Sequence, residues 1–312
     1  MGEEARAYVT LDELTRLRHR AKGFSFLPRQ PVHSLLVGRH ASRLRGRGLD
    51  FEELRHYVEG DDTRTIDWSA TARLGSAYVR VFTEERDRSV LLLVDQRLSM
   101  FFGSRRAMKS VAAAEAAALS AWRVISLGDR VGAVVFSEND VVEIRPRARD
   151  GAVMQILDAI VRQNRMLKAI DDRAADPGLL NEALRRAARL AKHDFLVCAI
   201  TDAFGADEET VELVTKITAH NDALTIFICD PLEIDLPDIG RAVVAEADRQ
   251  LEIDTSARDL RTRFAADFSV RREKVQAFSR KRTIPVLPIS AAQDVLGQFR
   301  ELLGRRLAKT RA

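Results

Sequence analysis

The strongest constraint on this chain is a series of short apolar runs spaced by helix-length segments. SVLLLVD (89–95) is apolar almost throughout, the pattern of a strand covered on both faces. DRVGAVVF (129–136), DFLVCAIT (194–201), ALTIFICD (223–230) and TIPVLPI (283–289) repeat it. Between them, Ser104 is placed to cap an Ala-rich helix running to about Ser126, with Gly128 as its stop. Further helices are expected over about 150–165, 179–192 and 208–219, with a basic helix over about 257–281 and a closing one over 291–308. VVEIRPR (141–147) reads as a short edge strand ended by Pro146, and 240–255 alternates like a hairpin turning near Asp248. Strand–helix–strand order implies an α/β fold: a doubly wound, mostly parallel, Rossmann-type sheet with helices on both faces and a β-hairpin insertion. Such sheets bind ligands at the carboxyl ends of their strands. That directs attention to 95–99, 137–139, 201–205 and Asp230.

The part before the sheet reads differently. In residues 1–35, Thr10 and Glu13 have capping-box spacing, Leu11, Leu14 and Leu17 follow at helical intervals, and the two prolines of FLPRQPVH argue for an extended linker. Residues 36–88 are polar and irregular, with no helix expected beyond about Phe51–Val58 and a strand near Tyr78–Phe82. The expected organisation is a helix and linker (1–35), an irregular N-terminal subdomain (36–88) and the sheet domain (89–312).

Composition narrows the function classes. Of 312 residues, 46% are hydrophobic and 31% charged, a globular balance with enough chain for a well-buried core. No apolar run approaches the roughly 18–20 residues of a membrane span. The longest, Val111 to Leu119, is mostly alanine and is interrupted by Glu115. MGEEARAYVTLDE has no apolar signal core, so a cytoplasmic location is expected. The two cysteines, Cys198 and Cys229, sit inside apolar runs and suit a reducing compartment. The formal charge of +4, against 46 acids available to pair with arginines, points to a surface of ion pairs and not to a nucleic-acid partner. The six histidines lack metal-ligand spacing, and there is no Gly-x-Ser-x-Gly elbow. The Gly38–Gly48 stretch with Arg39, His40, Arg43, Arg45 and Arg47 lacks Gly-Lys-Ser/Thr, so it reads as a basic loop answering Asp50, Glu52 and Glu53.

Two constellations carry chemistry. Asp95-Gln-Arg-Leu-Ser99-Met100 follows the first buried strand, and Asp202 follows another in AITDAFG. Carboxylates and a hydroxyl at neighbouring strand tips are oxygen ligands for a hard cation such as magnesium. They are equally the residues that cap backbone at strand ends. The second is the block 60–68, with Gly60, Asp61, Asp62, Arg64 and Asp67 beside Trp68, and Arg73 and Arg80 downstream. It reads either as a recognition surface or as an ion-pair network satisfying an irregular backbone, with Trp68 as core packing.

DQRLSM after an apolar strand, GDRVGAVVFS on the next and ITDAFG further on resemble a von Willebrand factor A domain. The upstream stretch, above all Gly-Asp-Asp-x-Arg-x-Ile-Asp-Trp (60–68), Ala72-Arg73 and Glu85-Arg86, resembles the signature of the domain of unknown function 58 family, which joins it to a von Willebrand A-like domain. CDPLEIDLPDIG and the following hairpin fit as well, so the resemblance runs from about residue 36 onward.

The resemblance implies a metal-ion-dependent adhesion site of the form Asp-x-Ser-x-Ser, then Thr, then Asp. Asp95, Ser99 and Asp202 match it, whereas Arg97 replaces the first Ser and Gly178 falls where the Thr is expected. A fixed guanidinium repels a divalent cation at a few Å, so the expectation is a degenerate site. Arg97 would pair with Asp95 and Asp202 in the metal's place, while Asp176 lies near enough in sequence to supply a ligand.

The resemblance also implies a non-enzymatic protein-interaction module accompanying a MoxR-type AAA+ ATPase or its client in complex assembly. The strand-tip loops, with Phe101, Phe102 and Phe204, would form the docking surface. The alternatives are a metal-dependent phosphohydrolase and a weak nucleic-acid binder. Haloacid-dehalogenase-like enzymes need a second Asp where this chain has Arg97.

Overall fold

The computed structural model describes residues 6–21, 49–59, 61–84, 89–168, 176–246, 249–282 and 284–309. The chain divides into two compact units, residues 29–87 and, together, 1–28 with 88–312. The N-terminal helix α1 (Leu11–Arg20) therefore belongs with the sheet unit and does not stand apart as a 1–35 segment. It starts on the capping box that its sequence announces, Thr10 accepting from the Glu13 N–H and the Glu13 carboxylate accepting from Thr10.

Unit 29–87 holds an antiparallel pair, β1 (Leu49–His56) and β2 (Tyr78–Glu84), with the short helix α2 (Trp68–Leu74) between them in sequence. The helix expected over Phe51–Val58 is thus strand β1. Glu and Leu favour helix locally, but pairing along β2 supplies the backbone partners and overrides that preference. The linker 22–35 and the glycine–arginine stretch 38–48 lie outside the described residues.

The larger unit is built on a six-stranded sheet. It comprises β3 (Ser89–Asp95), β4 (Arg130–Phe136), β5 (Val141–Arg147), β6 (Phe195–Thr201), β7 (Asp222–Cys229) and, after the antiparallel hairpin β8 (Arg241–Glu246) and β9 (Arg249–Asp254), β10 (Val286–Ser290). The order is β10-β7-β6-β3-β4-β5, parallel except for β5. β5 lies at one edge, as the proline in its sequence requires. Side chains of β3 alternate between two apolar layers. Val90, Leu92 and Val94 meet α3 (Lys109–Ser126) and α4 (Asp150–Met166), while Leu91 and Leu93 meet α5 (Gly178–Leu190), with α6 (Glu208–Thr218) in the same layer. α9 (Val295–Lys309) joins the first layer through Val295, Leu296 and Phe299. α8 (Arg258–Arg282) contributes Phe268 to a small third cluster with Phe227 and Cys229, and the four-residue helix α7 (Pro231–Ile234) follows β7. Among the described residues, no helix is long and apolar enough to cross a membrane.

The Ala-rich helix α3 starts at Lys109, with Met108 as its N-cap, and not at Ser104. The Ser104 N–H instead donates to Asp230, and the Lys109 N–H is taken by the Phe102 carbonyl, so the chain makes a closed loop before the helix begins.

Gly132 lies where β4 runs against the edge strand. A Cβ there would come within 2.5 Å of the Ile144 carbonyl oxygen and 2.6 Å of the Pro146 nitrogen, both backbone atoms. Gly132→Ala is therefore expected to lower stability by about 1–3 kcal/mol. Gly151→Ala in α4, where nothing lies within 4 Å, should leave stability unchanged or slightly raised. Urea denaturation of the two variants checks the contrast.

Candidate functional site

Asp95 ends β3, Thr201 ends the neighbouring β6 and Asp202 follows it, so sheet pairing alone brings these side chains to one point. Arg97 turns back onto Asp95: its Nε donates to Oδ1 at 3.0 Å and its Nη2 to Oδ2 at 2.7 Å. The Thr201 hydroxyl donates to Asp95 Oδ2 at 2.6 Å and the Arg97 backbone N–H to Oδ1 at 3.1 Å. Four donors saturate one carboxylate. The remaining guanidinium donors reach the Asp176 and Phe204 carbonyls at 3.3 and 3.1 Å. Arg97, Asp95 and Asp202 are all within 1% of complete burial. The guanidinium carbon also lies 5.5 Å from the centre of the Phe136 ring and 6.0 Å from that of Phe204.

Asp202 answers mainly to Lys109, the first residue of α3. Lys109 Nζ donates to Asp202 Oδ2 and to Glu233 Oε1, each at 2.8 Å. Arg271 of α8 lies 3.6 Å from Asp202 Oδ2 and 3.4 Å from Glu233 Oε1, and Arg97 lies 3.9 Å from Asp202 Oδ1. The other Asp202 oxygen accepts the Phe204 N–H at 2.9 Å. Three acids (Asp95, Asp202, Glu233) are thus matched by three bases (Arg97, Lys109, Arg271) in one continuous array. Burial works against each charge, yet the Asp202 carboxyl is held below the ordinary carboxylate range by Lys109 and Arg97. Lys109 is held above the usual lysine value by Asp202 and Glu233. Arg97, likewise opposed by burial, is raised by Asp95.

The loops are shaped to fit. Gly205 takes a left-handed backbone (φ 77°), and a Cβ there would sit 2.4 Å from the Pro177 Cβ. Only glycine lets this loop approach the Pro177 segment and bring the Asp176 carbonyl within reach of Arg97. Ala203 is also left-handed (φ 56°), and the adjoining Phe204 N–H is the one that reaches Asp202. Gln96, between the two charged residues, continues inward: its amide donates to the Ser110 carbonyl and accepts from Asn164, whose own oxygen takes the Val9 N–H. Glu138 closes one side by accepting the Leu98 N–H. Burial raises its pKa above the usual carboxylate value, against the opposing pull of that N–H bond.

The residues matched to an adhesion-type cation site do not fit a cation. The Asp95 and Asp202 oxygens are engaged by fixed positive charges and N–H donors, and two buried cations stand where a third would be repelled. Ser99 Oγ is buried and makes no hydrogen bond. Asp176 contributes its carbonyl, while its carboxylate accepts the Gly178 N–H. Among the described residues, no group of three or more His, Cys, Asp or Glu is arranged to hold a metal.

Phe101, Phe102 and Phe204 are half-buried. Phe101 packs on Tyr8, with ring centres 5.6 Å apart, and Phe102 lies 5.9 Å from Lys109 Nζ. Burial pushes the Cys198 thiol up to about 12 and Cys229 to about 11, which removes both as nucleophiles. In the 60–68 block, Asp61 takes a two-pronged hydrogen bond from Arg55 at 2.8 Å, Asp62 accepts the Arg64 N–H, and Asp67 caps α2. Arg73 donates to the Ser69 carbonyl, and Gly60 lies outside the described residues. Trp68, expected in the core, is 70% exposed. It stands in the first turn of α2, whose buried position is Ala70.

Thr201 lies in the 201–205 strand tip that the sequence points to, whereas Lys109, Glu233 and Arg271 lie outside the strand tips it points to. The signals were present: a lone lysine opening an otherwise Ala-rich helix, and an Asp230–Glu233 capping-box pair after a strand.

A model of the family described as protein of unknown function DUF58 matches residues 53–274, and the chain belongs to that family. It is 28% identical over 286 residues to the uncharacterized proteins Rv1480 of Mycobacterium tuberculosis and Mb1516 of Mycobacterium bovis, covering 89% of this chain and 86% of each relative. Among solved structures, the conserved hypothetical protein BatB from Bacteroides thetaiotaomicron matches with a TM-score of 0.40 and 12% identity, over 71% of this chain and 98% of that one.

Titration calorimetry with magnesium or manganese should show no micromolar binding, and such binding, if abolished by Asp95→Ala, would contradict the guanidinium assignment. Asp202→Asn should destabilise the fold by about 3–5 kcal/mol, because it leaves buried cations short of a partner. The pH dependence has a definite sign. A depressed carboxyl stabilises the fold fully above its unfolded value of roughly 3.9 and loses that contribution as pH falls toward about 2. Acid unfolding followed by circular dichroism should therefore begin at higher pH in Asp202→Asn than in the parent.

Proposed function

We propose that this chain is a non-enzymatic interaction module with a von Willebrand A-like sheet, working beside a MoxR-type AAA+ ATPase in the assembly or maturation of a protein complex. The observation that carries this reading is the saturation of the strand-tip charges by one another. A hydrolase at this position needs a free carboxylate, a metal or an activated nucleophile. Asp95 and Asp202 are instead bonded to Arg97, Thr201 and Lys109. What such an array supplies is a rigid support for the loops above it. Arg97 ties the 176 and 204 backbones together, and Asp230 holds Ser104. The tip loops 95–104, 137–140 and 202–207 then present fixed backbone and half-buried aromatic edges to a protein partner. The pairing with an ATPase rests on the resemblance of the sequence motifs, and a cytoplasmic setting on Cys198 and Cys229 lying inside apolar runs, which suits a reducing compartment.

The test is co-purification with the MoxR-type ATPase of the same organism. Arg105→Glu, directly after the first tip loop, and Asp140→Lys, in the second, change exposed residues without touching the buried array. They are expected to weaken capture at least about tenfold, while Arg189→Glu on α5 leaves it unchanged. Equal capture by all variants would refute a tip-loop interface.

A further inference from the structure

A second surface lies beside the strand-tip array, where α8 packs over β7 and β10. A cleft of about 530 Å³ opens there, lined by Phe227, Cys229, Phe268, Val275, Val286 and Pro288, with Arg272 and Gln276 at its mouth. An apolar cavity of about 150 Å³ already accommodates a benzene ring, so this cleft has room for an aromatic side chain and its neighbours. Its floor is buried, whereas Arg272, Gln276 and Pro288 are exposed.

The charge above the cleft is concentrated. α8 carries nine basic residues against three acidic ones, a net +6, while the whole chain carries +4, so the remainder is net −2. Arg271 is committed to Asp202 and Glu233, and Arg261 to Asp238. Arg263, Arg272 and Lys274 are exposed and make no ion pair among the described residues. The exposed apolar residues Phe264 and Val270 are six positions apart, on different sides of the helix, so they form no continuous face for insertion into a bilayer.

Strand addition at this edge is blocked. The Thr225 N–H bonds to the Pro285 carbonyl and the Ala291 N–H to the Cys229 carbonyl, so the odd-numbered residues of β10 face β7 and the even ones face outward. Pro288 has no N–H to offer on that outer side, and both the N–H and the carbonyl of Ser290 are taken by Gln298. A partner must therefore enter by its side chains.

We infer that the α8 cleft is a docking site for an acidic segment of another protein, one that inserts a large apolar side chain beside Phe268 and places its carboxylates against Arg272 and Lys274. None of the cleft's lining residues belongs to the tip loops, although Phe268 packs in one apolar cluster with Ala203 of the 202–207 loop, so the variants below are chosen to separate the two surfaces.

The probe is a fluorescein-labelled twelve-residue peptide with one Phe between runs of Asp and Glu, titrated into the full chain and read by anisotropy. Saturable binding is expected. It should weaken at least about tenfold in Arg272→Glu/Lys274→Glu and by a similar factor in Gln276→Trp, which fills the mouth from an exposed position. It should also weaken when the peptide Phe becomes Ser. Absence of saturable binding, or binding indifferent to Gln276→Trp and to the peptide Phe, overturns the proposal. Tighter binding of a single-stranded oligonucleotide, or of phosphatidylserine vesicles, overturns it as well by assigning the charge to another class of partner. Arg105→Glu serves as control: it should leave peptide binding unchanged even where ATPase capture is lost.

Discussion

The structure depends on one buried exchange of charge. At the carboxyl end of the central strand, Asp95, Asp202 and Glu233 lie under or beside Arg97, Lys109 and Arg271, and nearly all of this is out of water. An isolated ion there would be costly by several kcal/mol. The array is tolerable only because every member has a partner of opposite sign and further N–H or O–H donors complete the carboxylates. It also joins elements distant in sequence: β3, the start of α3, the loop after β6, the turn after β7 and the long helix α8. Removing any one partner leaves a charge in the interior, which couples the tips of the sheet to the stability of the whole unit.

That coupling bears on function. Cation sites at strand tips work because the metal is exchangeable and its open position takes a ligand. Arg97 and Lys109 are covalently part of the chain, so the positive charge is permanent and the geometry is set before any partner arrives. Surfaces held this way lose little conformational freedom on binding. The polar chain from Gln96 through Asn164 to the Val9 backbone extends the same support to the N-terminal segment, which is why residues 1–28 belong to the sheet unit although 29–87 intervene. The two surfaces described differ accordingly: the tips are braced by an internally neutral array, while α8 holds the chain's surplus of basic residues, of which Arg263, Arg272 and Lys274 are exposed.

Much of the fold is legible in the sequence. The apolar runs at 89–95, 129–136, 194–201 and 223–230 became β3, β4, β6 and β7 nearly to the residue, and Pro146 correctly marked an edge. Local propensity misled where long-range pairing decided the outcome. The segment 49–56 contains good helix formers but is a strand because β2 lies alongside it. Ser104 has the chemistry of an N-cap, yet its N–H belongs to Asp230, which is 126 positions away. Trp68 looks like a core residue by type and is exposed because α2 turns Ala70 inward.

The sequence by itself determined the alternating α/β order, the positions of Asp95 and Asp202 at the ends of buried strands, and the presence of an arginine two residues after Asp95. Those follow from hydrophobic periodicity and from motif spacing, which are local properties. Only the tertiary structure decided what the arginine does, that Lys109 and Glu233 complete the array, and that a cleft opens beneath α8. These depend on which distant segments the sheet and its helices bring within about 3 Å of one another, the range over which a hydrogen-bonded ion pair forms, and no single stretch of sequence encodes that distance.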